Sequence, residues 1–250
     1  MRGAGYAKWL SSPVLWVAVL FAVLLLKMDM LRPVFRWAFP QSTPYVYDRA
    51  SFLELFLAHL GLVATASVGA TAVGVALAIF VTRPVGAQFR PIVDTLAAIG
   101  QTFPPVAVLA IAVPLIGFGA RPTVVALFIY GLLPIIENAV AGLEGVPQDV
   151  REAADGMGLS AGQRLFAVEL PLAAPVILAG IRVSVTIAIG TATIGSTVGA
   201  LTLGTPIFDG LVADKLPFVI EGAVLVALFA ILTDMLFARV DRALSRRRGL

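Results

Sequence analysis

Long apolar runs separated by short polar connections dominate the pattern of this chain. A helix needs about 20 mostly apolar residues to cross a bilayer, and six runs meet that length. They cover residues 9–26, 54–81, 95–116, 123–143, 173–198 and 217–238. The pattern predicts an all-α, polytopic membrane helix bundle with six transmembrane helices, in which residues 1–250 form a single transmembrane domain.

The polar stretches divide this domain into parts. Residues 1–53 are predicted to form an N-terminal helix and a segment lying in the outer interface, with Trp37 at the level of the lipid headgroups. Residues 54–238 form the core. Within it, residues 145–172 form a long polar connection, called the charged segment below. Residues 239–250 form a basic tail.

Prolines interrupt several of the apolar runs. Pro104, Pro105 and Pro114 fall in the third run, and Pro134 falls in the fourth. A proline inside a membrane helix leaves a carbonyl without its helical donor, and another group must supply the hydrogen bond. Kinked helices are therefore expected.

The composition agrees with a membrane protein and excludes several kinds of site. The chain is 59% hydrophobic and 13% charged, whereas soluble domains average about half apolar and a quarter charged. It has no cysteine, and His59 is its only histidine, so a thiolate or multi-histidine metal site is excluded. The excess positive charge lies largely in the terminal arginines, which favours a cytoplasmic anchor over nucleic-acid binding. No cofactor or metal is expected.

The distribution of Lys and Arg predicts the orientation. With the amino terminus inside, the cytoplasmic connections hold eleven Lys and Arg residues and the outer connections hold six. Arg2 and Lys8 precede the first apolar run, which lacks a small-residue cleavage site and is interpreted as an uncleaved signal anchor. Both termini and the charged segment are then cytoplasmic.

The charged segment has the local signals of two short helices. Pro147 opens the first, and glycines including Gly158 end it. Ser160 and Gln163 have the spacing of a capping box that starts the second, which is expected to stop before Pro171. A weak apolar stripe flanked by charges suits docking into a groove on another protein. The alternative is a solvated loop with incidental helices.

The order of residues in the charged segment resembles a known motif. Glu152-Ala153-Ala154, three residues, Gly158, nine residues and Val168-Glu169-Leu170-Pro171 resemble the EAA loop of inner-membrane permeases of ATP-binding-cassette importers, with Val168 in place of isoleucine. The resemblance implies a type I importer permease fold, with five core helices and an N-terminal helix. It also implies a coupling helix that enters a cleft of a cytoplasmic ATPase. The implied coupling residues are Glu152, Ala153, Ala154, Gly158, Leu170 and Pro171.

A wider resemblance covers about residues 57–244. The stretches IGQTFPPVAVLAIAVPLIGFG (99–119), ALFIYGLLPII (126–136), ELPLAAPVILAGIRVSV (169–185) and IGTATIGSTVGALTLGTPIFDGL (189–211) are similar to permeases that import glycine betaine, carnitine or choline. This implies a bacterial inner-membrane location, a periplasmic binding protein and a second permease subunit. An unlike second subunit is favoured, and a homodimer stays open. Residues 199–204 depart from the glycine-rich run of many relatives, so cargo such as an amino acid also stays open.

The chain lacks the means to hydrolyse ATP itself. A phosphate-binding loop needs a lysine that follows glycine, whereas the only lysines are Lys8, Lys27 and Lys215, and none follows glycine. The energy for transport must come from a separate subunit. A secondary carrier and a membrane-embedded enzyme are the competing hypotheses, although little catalytic equipment is present, and no enzymatic activity is predicted.

A few polar residues fall within the apolar runs. Glu137 and Arg182 lie at similar depth and are candidates for an ion pair; the alternatives are a pathway role for Glu137 or two unrelated interfacial charges. His59 is favoured as an interfacial anchor over a proton relay. Candidates for lining a pathway, each alternatively a hydrogen bond that joins helices, are Gln101, Thr102, Asn138, Thr191 and Ser196.

Overall fold

Every regular element of the computed structural model is helical within residues 13–247, the part of the chain that it describes, with side chains described as far as residue 243. The α-helices are α1 (Pro13–Lys27), α2 (Arg32–Ala38), α3 (Phe52–Val81), α4 (Arg90–Thr102), α5 (Pro105–Ile116), α6 (Ala120–Glu144), α7 (Gln148–Gly156), α8 (Ala161–Arg164), α9 (Leu170–Ala192), α10 (Thr205–Val212) and α11 (Leu216–Arg247). Short 3-10 turns occupy Met28–Leu31, Ala87–Phe89 and Thr193–Val198, and a π-helical turn occupies Leu165–Glu169.

Five apolar helical stretches in the described range are long enough to cross a membrane. They are Pro13–Ala38, Phe52–Val81, Ala120–Glu144, Ala161–Val198 and Leu216–Ala243. These correspond to the first, second, fourth, fifth and sixth predicted spans. Residues 9–12 of the first, together with Arg2, Lys8 and Arg248, lie outside the described residues. The last helix continues to Arg247, so the basic tail begins as an extension of this span.

The third predicted span is broken. Residues 95–116 were expected to form one kinked helix, but α4 ends at Thr102 and α5 begins at Pro105. Phe103 between them has φ −70° and ψ 132°, the extended conformation that a following proline imposes. Because Pro104 and Pro105 also lack backbone N–H groups, the kink becomes a complete break, and the prediction of one continuous helix is wrong.

The chain forms two compact units. Of the described residues, the first unit contains those up to Ala64, Pro105–Val124 and Ile189–Ala238, and the second contains Thr65–Pro104, Val125–Ala188 and those from Arg239. In the first unit, aromatic rings form the centre of the packing. The Phe56 ring meets Phe21 at 5.1 Å and Phe229 at 5.2 Å, both edge to face, a favourable arrangement for aromatic pairs.

In the second unit, apolar side chains of α3, α4, α6, the π-helical turn and α9 form a core. Its buried members include Val81, Ile136, Leu143, Leu165 and Ile177.

Small residues bring two helices of the second unit close together. A Cβ atom added at Gly180 of α9 would lie 2.6 Å from both the Pro134 carbonyl oxygen and the Asn138 Cβ of α6. Glycine at this position therefore permits close contact between α6 and α9, as small residues do in other membrane bundles.

Candidate functional site

The first helix of the charged segment, α7, exposes part of the EAA sequence and buries the rest. Pro147 is the residue immediately before α7, with φ −56° and ψ 142°. Glu152 is exposed, and its Oε1 accepts a hydrogen bond from Gln148 Nε2 at 2.8 Å. Ala153 is also exposed, whereas Ala154 is only 1% exposed. The helix therefore offers Glu152 and Ala153 to a partner and packs Ala154 inward.

Gly158 ends α7 in a way that requires glycine. Its φ of +79° lies in the left-handed region, which side chains with a Cβ atom disfavour. Its N–H donates to the Asp155 carbonyl at 2.9 Å, and the Leu159 N–H donates to the Ala154 carbonyl at 3.2 Å. These two bonds form a Schellman motif, a common helix ending. The predicted glycine joint between the two short helices is therefore present, and the left-handed backbone conformation explains why glycine suits this position.

The predicted capping box starts the second short helix, α8. The Gln163 N–H donates to Ser160 Oγ at 3.3 Å, and the Ser160 N–H donates to Gln163 Oε1 at 2.8 Å. This prediction is confirmed. Both ends of the joint between α7 and α8 are thus fixed by local hydrogen bonds.

The helix that begins at this box does not stop before Pro171, so that prediction is wrong. The chain passes from α8 into the π-helical turn and then into α9, which starts at Leu170. Pro171 lies in the first turn of α9, immediately after the widened turn, where a proline ring and a missing N–H are tolerated. Leu170 and Pro171 therefore belong to the start of a membrane span.

A buried glutamate connects the charged segment to the rest of the second unit. The side chain of Glu169, the last residue of the π-helical turn, is 1% exposed. Its Oε1 accepts a hydrogen bond from Arg164 Nε at 3.0 Å, and its Oε2 accepts one from the Arg83 guanidinium. Arg164 also donates to both carboxylate oxygens of Asp155 in α7. We call Asp155, Arg164, Glu169 and Arg83 the ion network.

The ion network joins three parts of the chain, of which the one with Arg83 is distant in sequence from the other two. Asp155 lies in the coupling helix suggested by the motif, Glu169 lies where α9 begins, and Arg83 follows the end of α3 at Val81. Sequence reasoning missed this role because Glu169 occupies the variable position of its motif. The available signal was an acidic residue with apolar neighbours on both sides, Val168 and Leu170, which needs a partner if it is buried.

Arg151 provides a second connection from α7. Its guanidinium donates to the carbonyl oxygens of Leu143 at 2.6 Å and Glu144 at 3.2 Å, at the end of α6. A pocket of about 340 Å³ lies beside it, lined among others by Arg83, Arg151 and Glu169. Two arginines therefore hold α7 to the second unit: Arg151 contacts the end of α6, and Arg164 contacts Asp155.

A family comparison identifies the kind of protein to which this geometry belongs. The profile of the family described as "Binding-protein-dependent transport system inner membrane component" matches residues 70–246. The chain belongs to this family. Membership confirms the resemblance seen in the motif, and it favours an importer permease over a secondary carrier or a membrane enzyme. It implies a multi-pass protein of the inner membrane whose partners are an ATPase and a substrate-binding protein.

Individual relatives extend over most of the permease. The osmoprotectant import permease protein OsmY of Salmonella typhimurium is 43% identical over 197 residues, covering 79% of this chain and 84% of the relative. The glycine betaine/carnitine/choline transport system permease protein OpuCB of Bacillus subtilis is 40% identical over 176 residues, covering 68% and 81%.

Solved structures confirm the fold class. A chain of the inward-facing MetNI methionine transporter matches with a TM-score of 0.68 at 21% identity, covering 75% of this chain and 93% of that chain. A chain of an amino acid ABC transporter matches with a TM-score of 0.62 at 17% identity, covering 89% and 98%. At this identity the likeness is one of fold, and the fold is that of type I importer permeases.

Several polar residues proposed to line a pathway donate hydrogen bonds to backbone carbonyls of the permease. Gln101 Nε2 donates at 2.9 Å to the carbonyl of Tyr130, four residues before Pro134, which has no N–H to offer it. Gln101 thus satisfies the carbonyl that this proline leaves free. The Asn138 amide donates to the Pro134 carbonyl at 2.8 Å.

Two further pathway candidates donate hydrogen bonds from their hydroxyl groups to carbonyls three residues earlier in the chain. Thr102 Oγ1 donates to Ile99 and Ser196 Oγ donates to Thr193, both at 2.8 Å. Thr191 is half-buried. A pathway role for all five candidates stays a prediction.

The two charges proposed to form an intramembrane ion pair lie on α6 and α9. Glu137 is exposed, and Arg182 is half-buried. Their ion pair stays a prediction.

His59 is buried, so its interpretation as an interfacial anchor is wrong. Its ring is 0% exposed in the first unit. Nδ1 accepts a hydrogen bond from the Leu203 N–H at 3.2 Å, and Nε2 lies 3.1 Å from the Ile189 carbonyl oxygen, to which it donates. The imidazole fixes two backbone segments to α3, a role that only the folded arrangement reveals.

A second buried glutamate, also missed from sequence, lies in the first unit. Glu221 is 1% exposed, and its Oε2 accepts a hydrogen bond from the Tyr47 N–H at 3.0 Å. The Tyr47 hydroxyl donates to Asp209 Oδ2 at 3.1 Å, and Arg49 pairs with the same oxygen at 3.1 Å. Burial, followed by the Asp209 carboxylate, raises the pKa of Tyr47 to about 12. The phenol therefore stays a hydrogen-bond donor at neutral pH.

Proposed function

We propose that this chain is the permease subunit of an ATP-driven importer of a small osmoprotectant, with glycine betaine or choline as the cargo. The observation that carries the proposal is the 43% identity to an osmoprotectant import permease across 79% of the chain. Relatives named for glycine betaine, carnitine and choline support the same class of cargo.

In this proposal α7 is the coupling helix and enters a cleft of the ATPase. The exposed Glu152 and Ala153 meet the partner, Ala154 faces the permease, and Gly158 provides the joint between α7 and α8. Leu170 and Pro171 begin the span that the coupling helix moves. The charged segment and both termini face the cytoplasm, as the excess of Lys and Arg in those connections favours.

The permease pairs with a second permease subunit, and we favour an unlike one. Two different permease proteins of Salmonella typhimurium, OsmY and OsmW, are 43% and 36% identical to this chain. Likewise, OpuCB and OpuCD of Bacillus subtilis are 40% and 35% identical. Each organism thus has at least two distinct relatives of this one chain, which suits an assembly of two different subunits.

Reconstitution tests the proposal. The permease, its partner permease, the ATPase and the binding protein are placed in proteoliposomes, and uptake of radiolabelled glycine betaine and choline is measured with and without ATP. Uptake should require ATP and the binding protein. Glu152→Lys should lower uptake at least about tenfold, because it reverses the charge at the partner surface, while insertion in the membrane stays normal.

Two outcomes would contradict different parts of the proposal. Uptake that survives removal of ATP and collapses with an ionophore would indicate a secondary carrier. ATP-dependent uptake of an amino acid without uptake of glycine betaine or choline would keep the importer and replace the cargo.

A further inference from the structure

The ion network offers a continuous polar connection from the coupling helix to the ends of two membrane helices. It begins at Asp155 on α7, whose side chain is 51% exposed, and ends at Glu169, which is 1% exposed. Arg164 and Arg83 are 23% and 25% exposed. The charges therefore become more buried from Asp155 to Glu169 at the start of α9, and Arg83, beyond the end of α3, is about as exposed as Arg164.

The contacts in this network resist displacement. Charge-assisted hydrogen bonds between guanidinium and carboxylate groups are directional and among the strongest in proteins, whereas apolar packing is non-directional. Moving a buried carboxylate away from its cation leaves an uncompensated charge, which is strongly unfavourable. We therefore expect a displacement of α7 to be carried to Glu169 through Arg164, and from Glu169 to Arg83.

The backbone at Glu169 is also unusual. Leu165–Glu169 form a π-helical turn, and Glu169 is its last residue. Such turns hold an extra residue compared with an α-helix and are frequently found at functional sites. The widened turn joins α8 to the membrane span α9. Motion of α8 therefore reaches α9 through this turn.

We propose that Glu169 is a positioning residue that transmits the movement of the coupling helix to α9 and, through Arg83, to the end of α3. This inference rests on the proposed function only in that α7 is the helix that the ATPase moves. It does not depend on the identity of the cargo.

The principal test measures cargo transported per ATP hydrolysed by the complete reconstituted transporter carrying Glu169→Gln. Glycine betaine imported per ATP should fall about tenfold while ATP hydrolysis stays within about twofold of the parent. A purely structural role would lower the amount of intact complex, and that amount cancels in the ratio. An unchanged ratio would overturn the proposal.

Glu144→Gln is the matched control. It removes the carboxylate of another Glu–Arg pair in the same unit, with Arg90, but both side chains are more than two fifths exposed, and neither belongs to the ion network. Its transport per ATP should equal that of the parent. A fall as large as that of Glu169→Gln would show that loss of any nearby carboxylate is sufficient, and would also overturn the proposal.

A second readout is independent of cargo. The chain has no cysteine, so a single cysteine introduced at the exposed Met157 reports on α7, and one at the exposed Val85 reports on the loop after α3. Trapping the ATPase with ATP and vanadate should change the maleimide labelling rate at both sites in the parent. With Glu169→Gln, only Met157→Cys should respond.

The outcomes separate the two proposals. If neither glycine betaine nor choline is imported, the cargo assignment fails while the labelling experiment still decides the role of Glu169. A nucleotide response at Val85→Cys that persists with Glu169→Gln, or is missing in the parent, overturns the transmission role.

If Glu169→Gln does not assemble, Arg83→Lys and Arg164→Lys replace it, since they keep the charge and lose the guanidinium geometry. Parental transport per ATP in both would then overturn it.

Discussion

Two buried glutamates show how differently this permease accommodates a carboxylate. Glu169 and Glu221 are each 1% exposed. Glu169 has a guanidinium on each oxygen, from Arg83 and Arg164. Glu221 accepts a backbone hydrogen bond from Tyr47 on one oxygen, and its other oxygen has no hydrogen-bond partner within the described part of the chain.

The difference indicates two kinds of task. The two arginines connect Glu169 through charges to α7, by way of Arg164, and to the end of α3, by way of Arg83, which suits a site where force passes from one segment to another. The contact of Glu221 holds a single loop by its backbone, for which any acceptor of the right shape is sufficient. Burial alone therefore does not identify a functional acid, whereas the number and origin of its partners do.

The largest expected effect is the loss of stability in Glu169→Gln. Removing one partner of a buried ion pair leaves the others uncompensated and costs about 3 to 5 kcal/mol. Because glutamine still accepts a hydrogen bond, we expect a loss near the lower end, about 3 kcal/mol, in the free energy of unfolding of the purified permease in detergent. The exposed pair provides the reference, since Glu144→Gln should cost less than about 1 kcal/mol. Equal losses in the two variants would contradict the special role of the buried network.

The sequence predicts those features of this site that depend on residues close together in the chain. The EAA spacing, the glycine at position 158 and the Ser160–Gln163 box are all readable because each depends on neighbours within a few residues. The five long apolar spans are readable for the same reason, since length and composition decide them.

What the sequence does not reveal depends on contacts between distant residues. Glu169 meets Arg83 across 86 positions, and His59 meets Ile189 across 130. The π-helical turn, which leads into α9 just before Pro171, has no local signature, so the helix was predicted to end before Pro171. The paired prolines were a signal for the complete break at Phe103, but they were expected to kink the helix and not to end it.

The second-largest expected effect is on stability, and it tests whether the shape or the charge of the Glu221 side chain is required. Glu221→Leu removes the acceptor of the buried Tyr47 N–H, and an unsatisfied buried donor costs about 1 to 3 kcal/mol. Glu221→Gln keeps an acceptor of the same shape and should cost less than about 1 kcal/mol. Both are measured by the same denaturation in detergent. If glutamine proved as damaging as leucine, the negative charge itself would be required, and the contrast with Glu169 would disappear.

The smallest expected effect tests whether the joint of the charged segment depends on its local cap or on the ion network. Ser160→Ala removes the side-chain acceptor at the start of α8 and should cost about 1 kcal/mol, while Ser160→Thr retains a hydroxyl as the control. Hydrogen exchange of amides in residues 161–164 should increase about fivefold in Ser160→Ala, because 1 kcal/mol of local opening corresponds to that factor. Exchange at residues 170–175 should stay at the parental rate, since Arg83 and Arg164 still hold Glu169. An increase in both regions would mean that the cap and the network form one cooperative element, and that Glu169 does not hold the start of α9 independently of the helix before it.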